Sequence, residues 1–207
     1  MGGAVAATFW SPMTFAIEPT EAQAAIAEAI AKICSKYDDQ YWLKVDDTGA
    51  FPEAFVEDIA AGGWLGVAMP ERFGGAGLGL TEAALMMQAV AQSGAGFSGA
   101  SAIHLNIFGL MPIVKFGTEE QQARFLPPII EGKDKACFAV TEPNSGLDTS
   151  SLQTRAERTN AGYRITGRKI WTTSAQRANK ILLIARTTPK DQCRKPTEGL
   201  SLFYADF

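Results

Sequence analysis

The sequence predicts an α+β protein, with an all-helical N-terminal domain followed by an antiparallel, barrel-like β-domain. Three observations carry this. Before Lys133, apolar residues recur at helical spacing. After it, short runs of β-branched and aromatic residues with a period of two take over. The two patterns never alternate, which argues against a doubly wound sheet. The chain divides into a leader over residues 1–19, a helical domain over 20–132 and a β-domain over 133–207, with the boundary at Glu131–Asp134.

Met1 to Pro19 show no period and read as a leader. Thr20-x-x-Gln23 is a capping box, with Glu21 adding negative charge to the first turn. Ile26, Ile30, Ile33 and Tyr37 then fall on one helical face. Pro52 suits a helix N1 position, followed by Phe55 and Ile59, with Gly62-Gly63 as the stop. Thr81 caps a helix through Gln92. Ile103, Ile107, Leu110 and Val114 make another stripe, bent at Pro112. Thr118-x-x-Gln121 starts the next helix, whose regular part ends at Pro127-Pro128. Strand-like runs follow at Ala136–Thr141, Leu152–Arg158, Tyr163–Ile165, Arg168–Thr172, Ile181–Thr187 and Leu200–Tyr204. Asn160-Ala161-Gly162 reads as a hairpin turn, and Lys190–Glu198 as an exposed loop.

Composition narrows the function. Of the 207 residues, 46% are hydrophobic and 20% charged, as in a folded globular protein. The net charge of −3 and the lack of a basic run longer than Arg168-Lys169 give no reason to expect nucleic acid. No apolar run approaches the ~20 residues of a membrane span. The first basic residue is Lys32, so a basic targeting segment is not expected. Cys34, Cys137 and Cys193 have no metal-ligand spacing and read as reduced thiols of a cytoplasmic protein.

Several polar residues have structural readings. Gly74, Gly75, Gly77 and Gly79 form a glycine-rich turn, but no βαβ unit surrounds it, so a tight connection between helices is expected rather than a phosphate cradle. His104, the only histidine, sits beside an apolar stripe with no acid or nucleophile to pair with, and reads as structural. Glu142, before Pro143, is expected to anchor backbone groups, and Asp148 to bond backbone two residues on.

Two segments point to chemistry. Phe138-Ala139-Val140-Thr141-Glu142-Pro143-Asn144-Ser145-Gly146-Leu147-Asp148 reads as an apolar strand breaking into a turn rich in hydroxyls and exposed backbone. Trp171-Thr172-Thr173 supplies one large aromatic and two hydroxyls. Together they offer a planar ring a surface to stack on and a rim of neutral donors, which is what a flavin requires.

The first of these segments resembles the signature of the acyl-CoA dehydrogenase family, and Trp171-Thr172-Thr173 is similar to its Trp-Ile-Thr stretch. Met69-Pro70-Glu71-Arg72-Phe73-Gly74-Gly75-Ala76-Gly77 resembles its Pro-Glu-x-x-Gly-Gly-x-Gly turn, and Gly117-Thr118-Glu119-Glu120-Gln121 with Phe125-Leu126-Pro127 matches a further stretch. The resemblance implies FAD as cofactor, with Phe138, Val140, Thr141, Gly146, Trp171, Thr172 and Thr173 contacting it. It also implies α,β-dehydrogenation of an acyl-CoA thioester, an electron-transfer flavoprotein or similar acceptor, and a homo- or hetero-oligomer. Leu147 stands where the family has a small hydroxyl residue near the acyl-CoA, so that contact is altered. In the family the catalytic glutamate lies in a third, helical domain, so no catalytic residue is expected in this chain, and uncovered apolar surface is. Two other readings stay open: an acyl-CoA oxidase or flavin monooxygenase of the same fold, and a non-catalytic partner of a complete subunit.

Overall fold

In a computed structural model of the chain, residues 19–207 are described, so all but the last residue of the expected leader lies outside them. The helical half begins with α1 (Glu21–Cys34), where Thr20 and Gln23 form the expected capping box and Ile26, Ile30 and Cys34 are buried four residues apart. No apolar stripe predicts α2 (Asp39–Thr48), which buries only Trp42; its signals are the Asp38 cap and the closing Gly49. The helix α3 (Glu53–Ala61) buries Phe55, Val56 and Ile59, with Pro52 at its N-cap rather than at N1.

Three boundaries differ from expectation. The helix α4 (Leu80–Gln92) starts after Gly79, not Thr81. Glu82 accepts the Gly79 N–H at 3.0 Å and is itself held by Gln23 of α1 at 3.0 Å, so a contact between helices sets this end. The stripe around Pro112 is two helices, α5 (Gly96–Phe108) and α6 (Met111–Phe116), with Pro112 in the first turn of α6, where its missing donor costs nothing. The helix α7 (Glu119–Ile130) runs through Pro127 and Pro128, with the predicted Thr118–Gln121 capping box at its start. Leu126, Ile129 and Ile130 are buried on both sides of the prolines, and this packing outweighs the lost backbone bonds.

Taken together, Gly96–Phe116 reaches the length and apolarity of a membrane-crossing helix, with a mean hydropathy of 1.4, which the sequence reading did not anticipate. Ile103, Ile107 and Leu110 within it are fully buried in the protein core. The glycine turn folds back as a connection before α4: Ala76, Gly77 and Leu78 donate to the carbonyls of Gly66, Met69 and Val67. A side chain at Gly75 would fall 2.2 Å from the Met69 carbonyl oxygen, which accounts for glycine there.

The second half holds β1 (Ala136–Ala139), β2 (Arg155–Thr159), β3 (Gly162–Thr166), β4 (Lys180–Arg186) and β5 (Leu200–Asp206) in one sheet. The strand β4 is central. It pairs antiparallel with all of β5, parallel with β1 over Lys180–Leu183, and parallel with β2 at Arg186. β2 and β3 form a tight hairpin across Asn160-Ala161, while β4 and β5 are joined by the longer loop over residues 187–199. The sheet is therefore mixed and open, which corrects the antiparallel, barrel-like expectation. Reading period alone could not reveal that the hairpin and the loop after it return the chain so that β4 runs alongside β1. Arg168–Thr172, expected as a strand, joins no ladder.

Two apolar clusters form the core. One lies within the helices, around Phe55, Ile59, Leu65, Ile103 and Ile107. The other joins helices to sheet, with Met69, Leu110, Leu126 and Ile129 packed against Ala136 of β1 and Tyr204 of β5. Asn106 of α5, nearly buried, accepts from the Ala136 N–H and donates to the Asp134 carbonyl, both at 3.3 Å. Lys135 pairs with Glu53. These contacts fix the start of β1 against the helices and so aim its far end, where the site begins.

Candidate functional site

β1 ends at Ala139, and the chain turns at once. Glu142 and Ser145 exchange two backbone hydrogen bonds, 2.9 and 3.1 Å, closing a tight turn over Pro143-Asn144. Ser145 Oγ donates to the Asp148 carbonyl at 2.5 Å, and the Asp148 carboxylate accepts from the Ser150 N–H at 3.1 Å and from the hydroxyls of Ser150 and Ser151. Both carboxylates thus serve the backbone, as the sequence suggested. The Asp148 carboxyl lies below its usual range, chiefly because of the Ser150 hydroxyl.

Glu142 is the more deeply held. It is buried, and its two oxygens accept from the Gln153 N–H at 2.6 Å, the Thr154 N–H at 2.9 Å and the Lys169 ammonium at 2.9 Å. Burial alone would raise its pKa. The donors from Thr154, Lys169 and Gln153 outweigh burial and hold it at about 2. A general base works best with a pKa near the working pH, so Glu142 is unsuited to removing a substrate proton.

The second segment meets the first here. The Ile170 N–H donates to the Thr141 carbonyl at 2.9 Å, and Lys169 Nζ donates to the Val140 carbonyl at 2.9 Å. The next residue, Trp171, has φ +56° and is 86% exposed; Ser174 has φ +63°. Positive φ is unfavourable for a bulky residue. Among the described residues nothing covers the indole, so their packing does not explain the strain. Thr173 is exposed, Thr172 half-buried.

The remaining expected contacts are spread along the turn. Phe138 is 38% exposed, Val140 and Thr141 are half-buried, and Gly146 is exposed with open space around it. Leu147 projects fully into solvent. The structure therefore gathers Val140, Thr141 and Trp171, while Leu147 stands off from the protein. A cleft of about 300 Å³ is lined by Asn144, Gln153, Arg155 and Arg168, and another of about 290 Å³ by Ser174 with Phe51, Phe97 and Ser101. Trp171 walls neither, so the indole faces an open surface.

Sequence reasoning missed two supports. Lys169 was seen only as part of a basic pair, although its place two residues before Trp171 was the available signal. Arg186, nearly buried, donates to the carbonyls of Ser150, Leu152, Pro196 and Glu198 at 2.9 to 3.3 Å, and nothing in the sequence marked it. His104 is half-buried against the Ser101 carbonyl, in keeping with a structural reading. Among the described residues no group of His, Cys, Asp and Glu is placed to hold a metal ion.

The donor set fits a flavin: an open aromatic surface, two hydroxyls beside it, and the exposed backbone of the turn at Gly146. Comparison with known proteins gives the family. The family descriptions "Acyl-CoA dehydrogenase, N-terminal domain" and "Acyl-CoA dehydrogenase, middle domain" match residues 20–133 and 137–206. The chain is 32% identical over 167 residues to the 3-(aryl)acrylate reductase of Clostridium sporogenes, covering 79% of this chain and 42% of that protein. It is 32% identical over 167 residues to the benzylmalonyl-CoA dehydrogenase of Aromatoleum aromaticum, covering 81% and 44%. Among solved structures, the acyl-CoA dehydrogenase from Geobacillus kaustophilus superposes with a TM-score of 0.82 at 25% identity, over 93% of this chain and 50% of that one. Butyryl-CoA dehydrogenase from Megasphaera elsdenii gives 0.79 at 26%, over the same shares. The chain spans less than half the length of these curated relatives.

Proposed function

The chain belongs to the acyl-CoA dehydrogenase family, and on that premise we propose that it is part of an FAD-dependent oxidoreductase that dehydrogenates an acyl-CoA thioester between its α and β carbons. The observation that carries this is the strained, uncovered Trp171 held beside Thr141 by the Ile170–Thr141 hydrogen bond. A bound flavin supplies the hydride acceptor in such a reaction. Trp171 stacks on the ring, and Phe138 and Val140 give the approach an apolar floor. Thr141, Gly146, Thr172 and Thr173 offer neutral donors and backbone groups to the polar edge. Leu147 reaches toward the acyl-CoA with an apolar contact in place of a hydrogen bond. The base that takes the α-proton is assigned to none of these residues, because both carboxylates of the turn are committed to backbone and hydroxyl donors. The same proposal includes an electron-transfer flavoprotein or similar acceptor, an oligomer, and a cytoplasmic setting that suits three reduced thiols.

FAD titration of the purified chain, followed by flavin fluorescence and the visible band, tests the reading. Trp171→Ala is expected to weaken FAD by on the order of 1 kcal/mol beyond the lost contact area. Thr173→Val is expected to shift the flavin potential more than the affinity. An unchanged affinity and an unchanged potential in both variants would remove the site assignment.

A further inference from the structure

The two segments of the candidate site are far apart in sequence and share one backbone bond, Ile170 N–H to the Thr141 carbonyl. One such bond contributes little net stability. The left-handed conformation of Trp171 is costly for a bulky residue. That bond alone does not hold it. On one side, the acceptors of Lys169, the Val140 carbonyl and the Glu142 carboxylate, bracket Thr141. On the other, Lys169 immediately precedes Ile170. The Lys169 and Glu142 side chains are only 8% and 6% exposed. The far oxygen of Glu142 is fixed by the Gln153 N–H just before β2.

We propose that Lys169 and Glu142 are positioning residues that lock the Trp171 segment onto the end of β1 and hold the indole in its ligand-ready conformation. This rests on the flavin reading above only for what the indole receives; the clip itself is a property of the free chain. A buried ion pair is a poor source of net stability, because desolvation offsets the attraction. Its use here is registry. The Lys169 ammonium bonds both the Val140 carbonyl and a Glu142 carboxylate that the Gln153 and Thr154 N–H groups hold in place, which fixes one segment relative to the other in a way that a single backbone bond does not.

The chain has four tryptophans, so 5-fluorotryptophan labelling gives few fluorine signals, and Trp171→Phe identifies the one from Trp171. Three proteins are compared: the parent, Lys169→Met, and Lys169→Met with Glu142→Gln. The single change strands a buried carboxylate and lowers the melting temperature most. The double change removes both charges and leaves one carboxamide oxygen for one of the two backbone N–H groups, so it recovers part of that loss. If the pair positions Trp171, its fluorine line stays shifted or broadened in the double variant despite the recovered stability. The FAD dissociation constant then rises on the order of tenfold in both variants. A Trp171 line in the double variant identical to the parent's overturns the proposal, whatever FAD does. A double variant that does not fold assigns the pair to stability alone and overturns it too. If the parent binds no FAD, the flavin reading fails, and the fluorine comparison still decides the role of the clip.

Discussion

The two halves of the molecule bury different things. The helical half encloses Phe55, Ile59, Leu65, Met86, Ile103 and Ile107 completely, each contributing roughly 1.5–3 kcal/mol relative to exposure. Of its apolar residues, apart from Leu152 and Leu182, the sheet half buries small ones, Ala136, Cys137, Ala139, Ala156 and Ala185. Its larger ones, Tyr163, Ile165 and Leu202, stay well exposed. Tyr163 of β3 and Phe203 of β5 meet edge to face at 5.1 Å, so the sheet has begun to curl over its own apolar side without closing. The helices make a core that stabilises itself. The sheet makes a platform that leans on them through Ala136 and Tyr204, and on that platform stands the strained, uncovered Trp171.

Core truncation tests this contrast most directly. Ile103→Ala should cost about 2–5 kcal/mol, as deletions in a closed core do. Ile165→Ala, at a partly exposed position, should cost less than about 1 kcal/mol. Urea-unfolding midpoints give both, and similar losses would break the comparison.

Acid comes next, because it acts on the sheet half through one group. The Glu142 carboxyl sits at about 2 in the folded chain against an ordinary value of 4.5. A depressed carboxyl stabilises the fold fully above pH 4.5, and that contribution is lost as pH falls from there through about 2. Thermal melts between pH 2 and 5 should slope steeply for the parent and less for Glu142→Gln; parallel curves would show that the carboxylate is not held as described.

The smallest effect concerns the seam between the halves. The Tyr204 hydroxyl is buried and has no hydrogen-bond partner among the described residues. Burial raises its pKa, and Asp134 and Asp206 add to the shift. Tyr204→Phe removes an unsatisfied group and keeps the Phe125 contact, so stability should hold or rise by up to about 1 kcal/mol. A clear loss in the same melts would mean that the hydroxyl has a partner in solution.

What the sequence revealed follows the same divide. Local signals survived: Thr20–Gln23 and Thr118–Gln121 cap their helices because a capping box needs only four consecutive residues. The start of α4 did not, because Glu82 is positioned by Gln23, almost sixty residues earlier in the chain. Strand locations were mostly legible and their pairing was not, since a period of two says which side faces inward and nothing about a neighbour's direction. At the site, Trp171 and the turn after β1 stood out by residue type. Lys169 and Arg186 did not, because what marks them is burial against carbonyl groups, and a carbonyl belongs to every residue alike.

That last property of Arg186 has a consequence for how the molecule tolerates change. Its guanidinium grips four backbone oxygens, two in the segment after Asp148 and two in the surface loop at Pro196 and Glu198. The grip reads main chain, not side chains. Exchanging the side chains of Ser150, Pro196 or Glu198 leaves these acceptor oxygens in place, so a single position holds the shape the two loops share.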